Sequence, residues 1–167
     1  MAELEIVTFP NPILLSRALA VDWINSRIRR LTQDLAETMC SVSGAGLAAP
    51  QVGVRKRVIV VDGENDPLVL VNPSIAAAEG EQVGLEGCLS VPDLVGEVRR
   101  AEWVMVNGLD RRGWPVSLEG EGLLARVLQH EIDHLDGILF VARIEDPTQL
   151  WRVSELSAAA EKEAALI

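Results

Sequence analysis

The run Gln129-His130-Glu131-Ile132-Asp133-His134 contains both histidines of this 167-residue chain, spaced as HExxH. On a helix, residues i and i+4 share a face, so the two imidazoles reach one cation while Glu131 stands beside its open position. The pattern is that of a hydrolytic metal centre rather than of a surface helix with two unconnected histidines. Leu123, Leu124, Val127, Leu128 and Leu135 continue an apolar stripe at helical spacing on both sides of the motif. Such a stripe buries the segment and turns its histidines inward, so this helix is expected at the centre of the fold.

Working outward, Asp22 is a candidate cap for a helix over residues 23–40, whose Ile24, Ile28, Leu31, Leu35 and Met39 recur at steps of three and four. Cys40 at its end reads as a small core residue. The glycine-rich stretch 44–53 reads as a loop feeding a β-branched strand over 57–62. A short strand over 68–71 is expected to stop at Asn72-Pro73, because proline removes a ladder donor. Residues 103–108 and 115–118 predict a hairpin turning at Asp110-Arg111-Arg112-Gly113. After Pro147, the Ala-, Leu- and Glu-rich residues 148–166 suit a terminal helix.

Composition bounds the function classes. Apolar residues make up 49% of the chain and charged residues 24%, an ordinary globular balance that predicts one domain over residues 1–167. A formal charge of −10 repels phosphate backbones and anionic lipid, so direct binding to nucleic acid or membrane is not expected. The start of the chain carries Glu3 and Glu5 where an export signal places Lys or Arg. The uncharged stretch 38–54 is broken by Gly44, Gly46, Pro50 and Gly53, which argues against a membrane span. A cytoplasmic location follows, with Cys40 and Cys88 as separate thiols.

Two histidines do not complete a catalytic metal site, which normally has three protein ligands and an exchangeable water. Cys88, in Glu86-Gly87-Cys88-Leu89-Ser90, is the preferred third ligand, since a thiolate with two imidazoles is a known set. Glu155, 21 residues beyond His134, is the alternative, in the manner of HExxH peptidases. A non-catalytic metal-binding module is the reading from a different class.

Three segments, Gly44-Ala45-Gly46-Leu47-Ala48-Ala49-Pro50-Gln51, Glu86-Gly87-Cys88-Leu89-Ser90 and Gln129-His130-Glu131-Ile132-Asp133-His134-Leu135, together and in this order resemble peptide deformylase. The resemblance extends to the flanking residues 6–14 and to the strand after Gly53. It implies an α+β fold, with small antiparallel and mixed β-sheets packed around the central HExxH helix and a C-terminal helix. It also implies removal of the formyl group from nascent formyl-methionyl peptides, with release of formate.

The metal set implied is Cys88, His130 and His134, with Glu131 as general base and the Gln51 amide and Leu89 N–H as oxyanion donors. Gly46 and its neighbours would hold the substrate as an added strand, with Ala45, Leu123 and Val127 lining a methionine pocket. Glu86 and Arg100 are expected to pair and hold the Cys88 loop, and Asp133 to accept the remaining N–H of an imidazole or else to form a helix salt bridge. The resemblance favours Fe²⁺, although the same ligands accept Zn²⁺, Ni²⁺ or Co²⁺.

Two departures stand out. Many deformylases carry a groove arginine shortly after the proline of the cysteine motif, where this chain has Asp93-Leu94-Val95, so weaker substrate binding is expected. Ribosome docking through a basic terminal helix is also expected to be weak, since Glu155, Glu161 and Glu163 outnumber Arg152 and Lys162.

Overall fold

Two sheets enclose one buried helix in the computed structural model, which describes residues 3–167. The chain begins its regular structure with α1 (Ser26–Ser41), followed by β1 (Gly46–Ala48), β2 (Val58–Val61), β3 (Leu68–Glu79), β4 (Gln82–Cys88) and β5 (Val91–Arg100). Next come β6 (Trp103–Leu109), β7 (Pro115–Glu121) and α2 (Leu123–Leu135), then β8 (Leu150–Arg152), α3 (Ala158–Glu163) and β9 (Ala165–Leu166). The larger sheet has the order β1-β2-β3-β6-β7 and is antiparallel throughout. The smaller has the order β8-β5-β4-β9 and is antiparallel except for the parallel β4–β9 pair. The α+β class follows, with the HExxH helix α2 at the centre.

β2 shows why the layers stack as they do. Alternate side chains of a strand point to opposite faces. Ile59 and Val61 therefore join Leu70, Val104 and Val106 against Val127, Leu128 and Ile132 of α2. Val58 and Val60 join Ile28, Leu35 and Met39 of α1 on the other face. With both faces covered, all four residues of β2 are buried. A third cluster, Leu14, Cys88, Val91, Val98, Leu139 and Phe140, ties the smaller sheet to the segment after α2. No described helix is long and apolar enough to cross a membrane.

Several sequence expectations need correction. Helix α1 starts three residues later than predicted and is capped by Asn25, whose Oδ1 accepts from Ile28 N–H at 3.1 Å, not by Asp22. Cys40 is exposed, because one position beyond buried Met39 is a turn of about 100° away from the core face. β3 does not end at Asn72-Pro73. Asn72 adopts φ 51° in a register shift between Val71 and Ser74, which absorbs the missing proline donor and lets the strand run on to Glu79. The Asn72 side chain also bonds both backbone groups of Val21 at 2.8 Å.

The predicted hairpin is present as β6–β7, with Asp110 Oδ1 accepting from the Arg112 and Trp114 amides. The long terminal helix is not. Residues 150–152 pair with β5 instead, and α3 is a short helix capped by Ser157. The glycine-rich stretch 44–53, read as loop, contributes β1, and the sequence reading did not foresee strands β4 and β5.

Candidate metal centre

Helix α2 is buried almost all round from Ala125 to Leu135, as befits a helix enclosed between sheets. His130 and His134 lie on one face, their ring centroids 4.9 Å apart and inclined at 69°. Phe140 stacks on His130 at 6.3 Å. Cys88 arrives from the end of β4, where a register shift after Gly87 brings Cys88 opposite Val91. Its Sγ lies 3.4 Å from His134 Nε2. Ligand atoms of Cys88, His130 and His134 all fall within 4.8 Å of one another, and all three residues are buried. Glu155 lies exposed in a 3₁₀ turn (Val153–Glu155), outside this cluster.

Glu86, with its side chain fully buried, organises the next layer. Arg100 meets it with two bonds, Nε to Oε2 at 3.0 Å and Nη2 to Oε1 at 2.9 Å, and Arg126 Nη1 donates to Oε2. His130 Nδ1 lies 2.7 Å from Oε1. Hydrogen bonds and the charges of its partners outweigh burial and hold the Glu86 carboxyl far below the usual range. An ionised carboxylate only accepts, so His130 Nδ1 is the donor of this bond and Nε2 is the nitrogen left for a cation. Among the described residues that Nε2 has no hydrogen-bond partner, which suits a cation ligand.

The expected Glu86–Arg100 pair is therefore present, but Asp133 does not orient an imidazole. Its carboxylate accepts from Arg100 Nη1 at 2.6 Å and from Arg143 at 2.8 and 3.1 Å, and Glu86 takes the histidine instead. Arg126 was missed by sequence reasoning. Its signal was a cation in the otherwise apolar part of the motif helix, four residues before His130.

Electrostatics favour a positive charge at the centre. Burial, reinforced by Glu86, pushes the Glu131 carboxyl well above its ordinary pKa, and neither of its oxygens has a hydrogen-bond partner among the described residues. Burial, with Glu131 and Glu86 nearby, pushes the Cys88 thiol up to about 12. Burial and the neighbouring cationic groups hold His134 well below its usual pKa, hence neutral and able to ligate. Two buried acids short of compensation beside the His130 and His134 imidazoles form a donor set that a divalent cation fits.

The remaining predicted residues surround this cluster. Gln51, in the 3₁₀ turn Ala49–Val52, accepts from Ala48 N–H at 2.9 Å. Its Nε2 donates to Ser90 Oγ at 3.2 Å and lies 3.7 Å from Cys88 Sγ. Leu89 N–H donates to the Ile167 carbonyl at 3.0 Å. Gly46 in β1 passes so close to Glu131 that a Cβ there would stand 2.6 Å from its Oε1. Val127 is buried with Ala45 packed on its cluster, and Leu123, one turn earlier on α2, is 59% exposed.

The polypeptide deformylase family model matches residues 3–150. A peptide deformylase of Syntrophomonas wolfei is 51% identical over 141 residues, covering 84% of this chain and 93% of that one. Peptide deformylase 1 of Bacillus cereus is 48% identical, covering 93% and 99% respectively. Among solved structures, a peptide deformylase from Legionella pneumophila superposes with a TM-score of 0.84 at 43% identity, covering 89% of each chain. One from Synechococcus elongatus in complex with actinonin gives 0.84 at 41% identity, covering 89% and 86%. On match length and identity alike, this chain belongs to the polypeptide deformylase family.

Proposed function

We propose that residues 1–167 act as one catalytic domain in which Cys88, His130 and His134 hold a divalent cation and Glu131 is the general base. The enzyme removes the N-terminal formyl group from formyl-methionyl polypeptides and releases formate. The observation that carries the residue assignment is Glu131, a fully buried carboxyl whose oxygens bond to no described residue, next to the three-ligand cluster. A structural carboxylate at such depth is normally paired, so an unpaired one points to chemistry.

The cation, when bound, supplies Lewis acidity that brings the pKa of water toward neutrality. Glu131 takes the proton of the attacking water and returns it to the departing amine. Gln51 Nε2 and Leu89 N–H donate to the formyl oxygen as it gains charge, each such donor being worth about 3 kcal/mol of barrier. Glu86 fixes the tautomer and orientation of His130. The peptide lies extended along the edge of β1 at Gly46, with its methionine side chain in a pocket of Ala45 and Val127 rimmed by Leu123.

Thiolate and imidazole accept Fe²⁺, Zn²⁺, Ni²⁺ or Co²⁺, and ferrous iron is the proposed ion. Acting on nascent chains places the enzyme in the cytoplasm. At the position of the absent groove arginine, Val95 is buried between β4 and β8, so peptide carbonyls lose a charged donor and affinity falls.

Anaerobic purification with elemental analysis and formate assays on a formyl-Met tripeptide tests the assignment. Glu131→Gln keeps its metal and loses about 10³-fold or more in turnover. Cys88→Ala loses most of its metal, and Glu155→Ala keeps both metal and activity. Metal loss in Glu155→Ala with retention in Cys88→Ala would transfer the site to the peptidase arrangement.

A further inference from the structure

Residues 164–167 lie where the proposed substrate must lie. β9 runs parallel to β4, with Ala165 opposite Glu86 and Leu166 opposite Gly87. Ile167 N–H donates to the Gly87 carbonyl at 3.2 Å, and Leu89 N–H donates to the Ile167 carbonyl at 3.0 Å. On the other side, Ala45 N–H donates to the Leu166 carbonyl at 3.2 Å. The segment thus bridges β4 and the entry to β1, and it takes up Leu89 N–H, the donor assigned above to the formyl oxygen. The Ile167 side chain is fully buried in the same apolar cluster as Val127, on which Ala45 packs, the residues assigned above to the methionine pocket.

The rest of this region is held loosely. Ser154, Glu155, Ser157, Ala158 and Ala159 are exposed, α3 has six residues, and β9 pairs with β4 alone. One N–H cannot serve two carbonyls at full strength, and one pocket cannot hold both an isoleucine and a methionine side chain. A segment joined to the enzyme by a short connection also competes at a high effective concentration.

Resting on the deformylase reading above, we propose that residues 164–167 are a built-in competitor: a self-docked strand that closes the peptide groove and leaves it before substrate binds. If the docked form holds about nine-tenths of the molecules, apparent substrate affinity drops about tenfold while the chemical step is untouched.

Formate release from formyl-Met-Ala-Ser is measured on the metal-loaded full chain, on Ile167→Glu, and on a chain ended at Ser157. The expected result is a KM about tenfold lower in both altered chains with kcat unchanged. The peptide acetyl-Glu-Ala-Ala-Leu-Ile is expected to inhibit the shortened chain competitively. Equal KM in all three overturns the proposal. Hydrogen exchange on metal-loaded Glu131→Gln, whose tail is unaltered, gives a test independent of folding defects in the tail variants. Saturating formyl-Met-Ala-Ser should speed exchange of the 164–167 amides, and continued protection with peptide bound overturns the proposal. Absence of formate release from all three fully metallated chains overturns the deformylase reading itself, and the tail's role with it.

Discussion

Gly46 is required for its lack of a side chain. An added methyl would stand 2.6 Å from Glu131 Oε1 and 2.8 Å from Val127 Cγ1, so Glu131, Val127 or β1 would have to shift. A misplacement of about 1 Å in an active site costs on the order of 100-fold in rate. Gly46→Ala is accordingly expected to lower kcat/KM about 100-fold while retaining metal, as checked by formate kinetics alongside elemental analysis. At this scale the sequence read well where chemistry fixes residue type: two imidazoles, a thiol and a carboxyl in their motifs. It left Asp133 between an imidazole and a salt bridge, because spacing along a helix does not reveal which strand approaches it. Glu86 bonds His130, and Asp133 pairs with Arg100 and Arg143.

At the level of elements, Glu86 ties β4 to β5 through Arg100 and to α2 through Arg126 and His130. Removing one partner of a buried ion pair costs about 3 kcal/mol or more. A disturbed outer hydrogen bond lowers metal affinity by about 10- to 100-fold. Arg126→Met is therefore expected to lower unfolding stability by about 3 kcal/mol in urea titration and to weaken metal retention about tenfold in chelator competition. Arg143→Met, at a side chain 46% exposed, is expected to change stability by less than about 1 kcal/mol. Helix α2 and hairpin β6–β7 were legible because their periodicity or turn chemistry is local. β4 was not, because its two glycines, Gly84 and Gly87, and its one acid, Glu86, break the apolar alternation and its burial comes from α2 and β5. The predicted terminal helix failed for the converse reason: helix propensity over 148–166 yielded to pairing with β5 and β4.

Over the whole molecule, the formal charge of −10 governs encounters with other macromolecules. Ribosomal phosphate repels such a surface, and the terminal segment is itself acidic, with Glu155, Glu161 and Glu163 against Arg152 and Lys162. The full chain is expected not to pellet with ribosomes above background at about 0.15 M salt in a cosedimentation assay. Sequence alone singled out the candidate donors, since HExxH, the cysteine motif and the glycine-rich stretch specify residue types whose properties do not depend on the fold. Helix periodicity likewise determined that α2 would be central. Only the tertiary structure decided that Glu86 rather than Asp133 holds His130, that Arg126 backs it, and that residues 164–167 pair with β4. Those outcomes depend on contacts between segments distant in the chain, which local propensity does not encode.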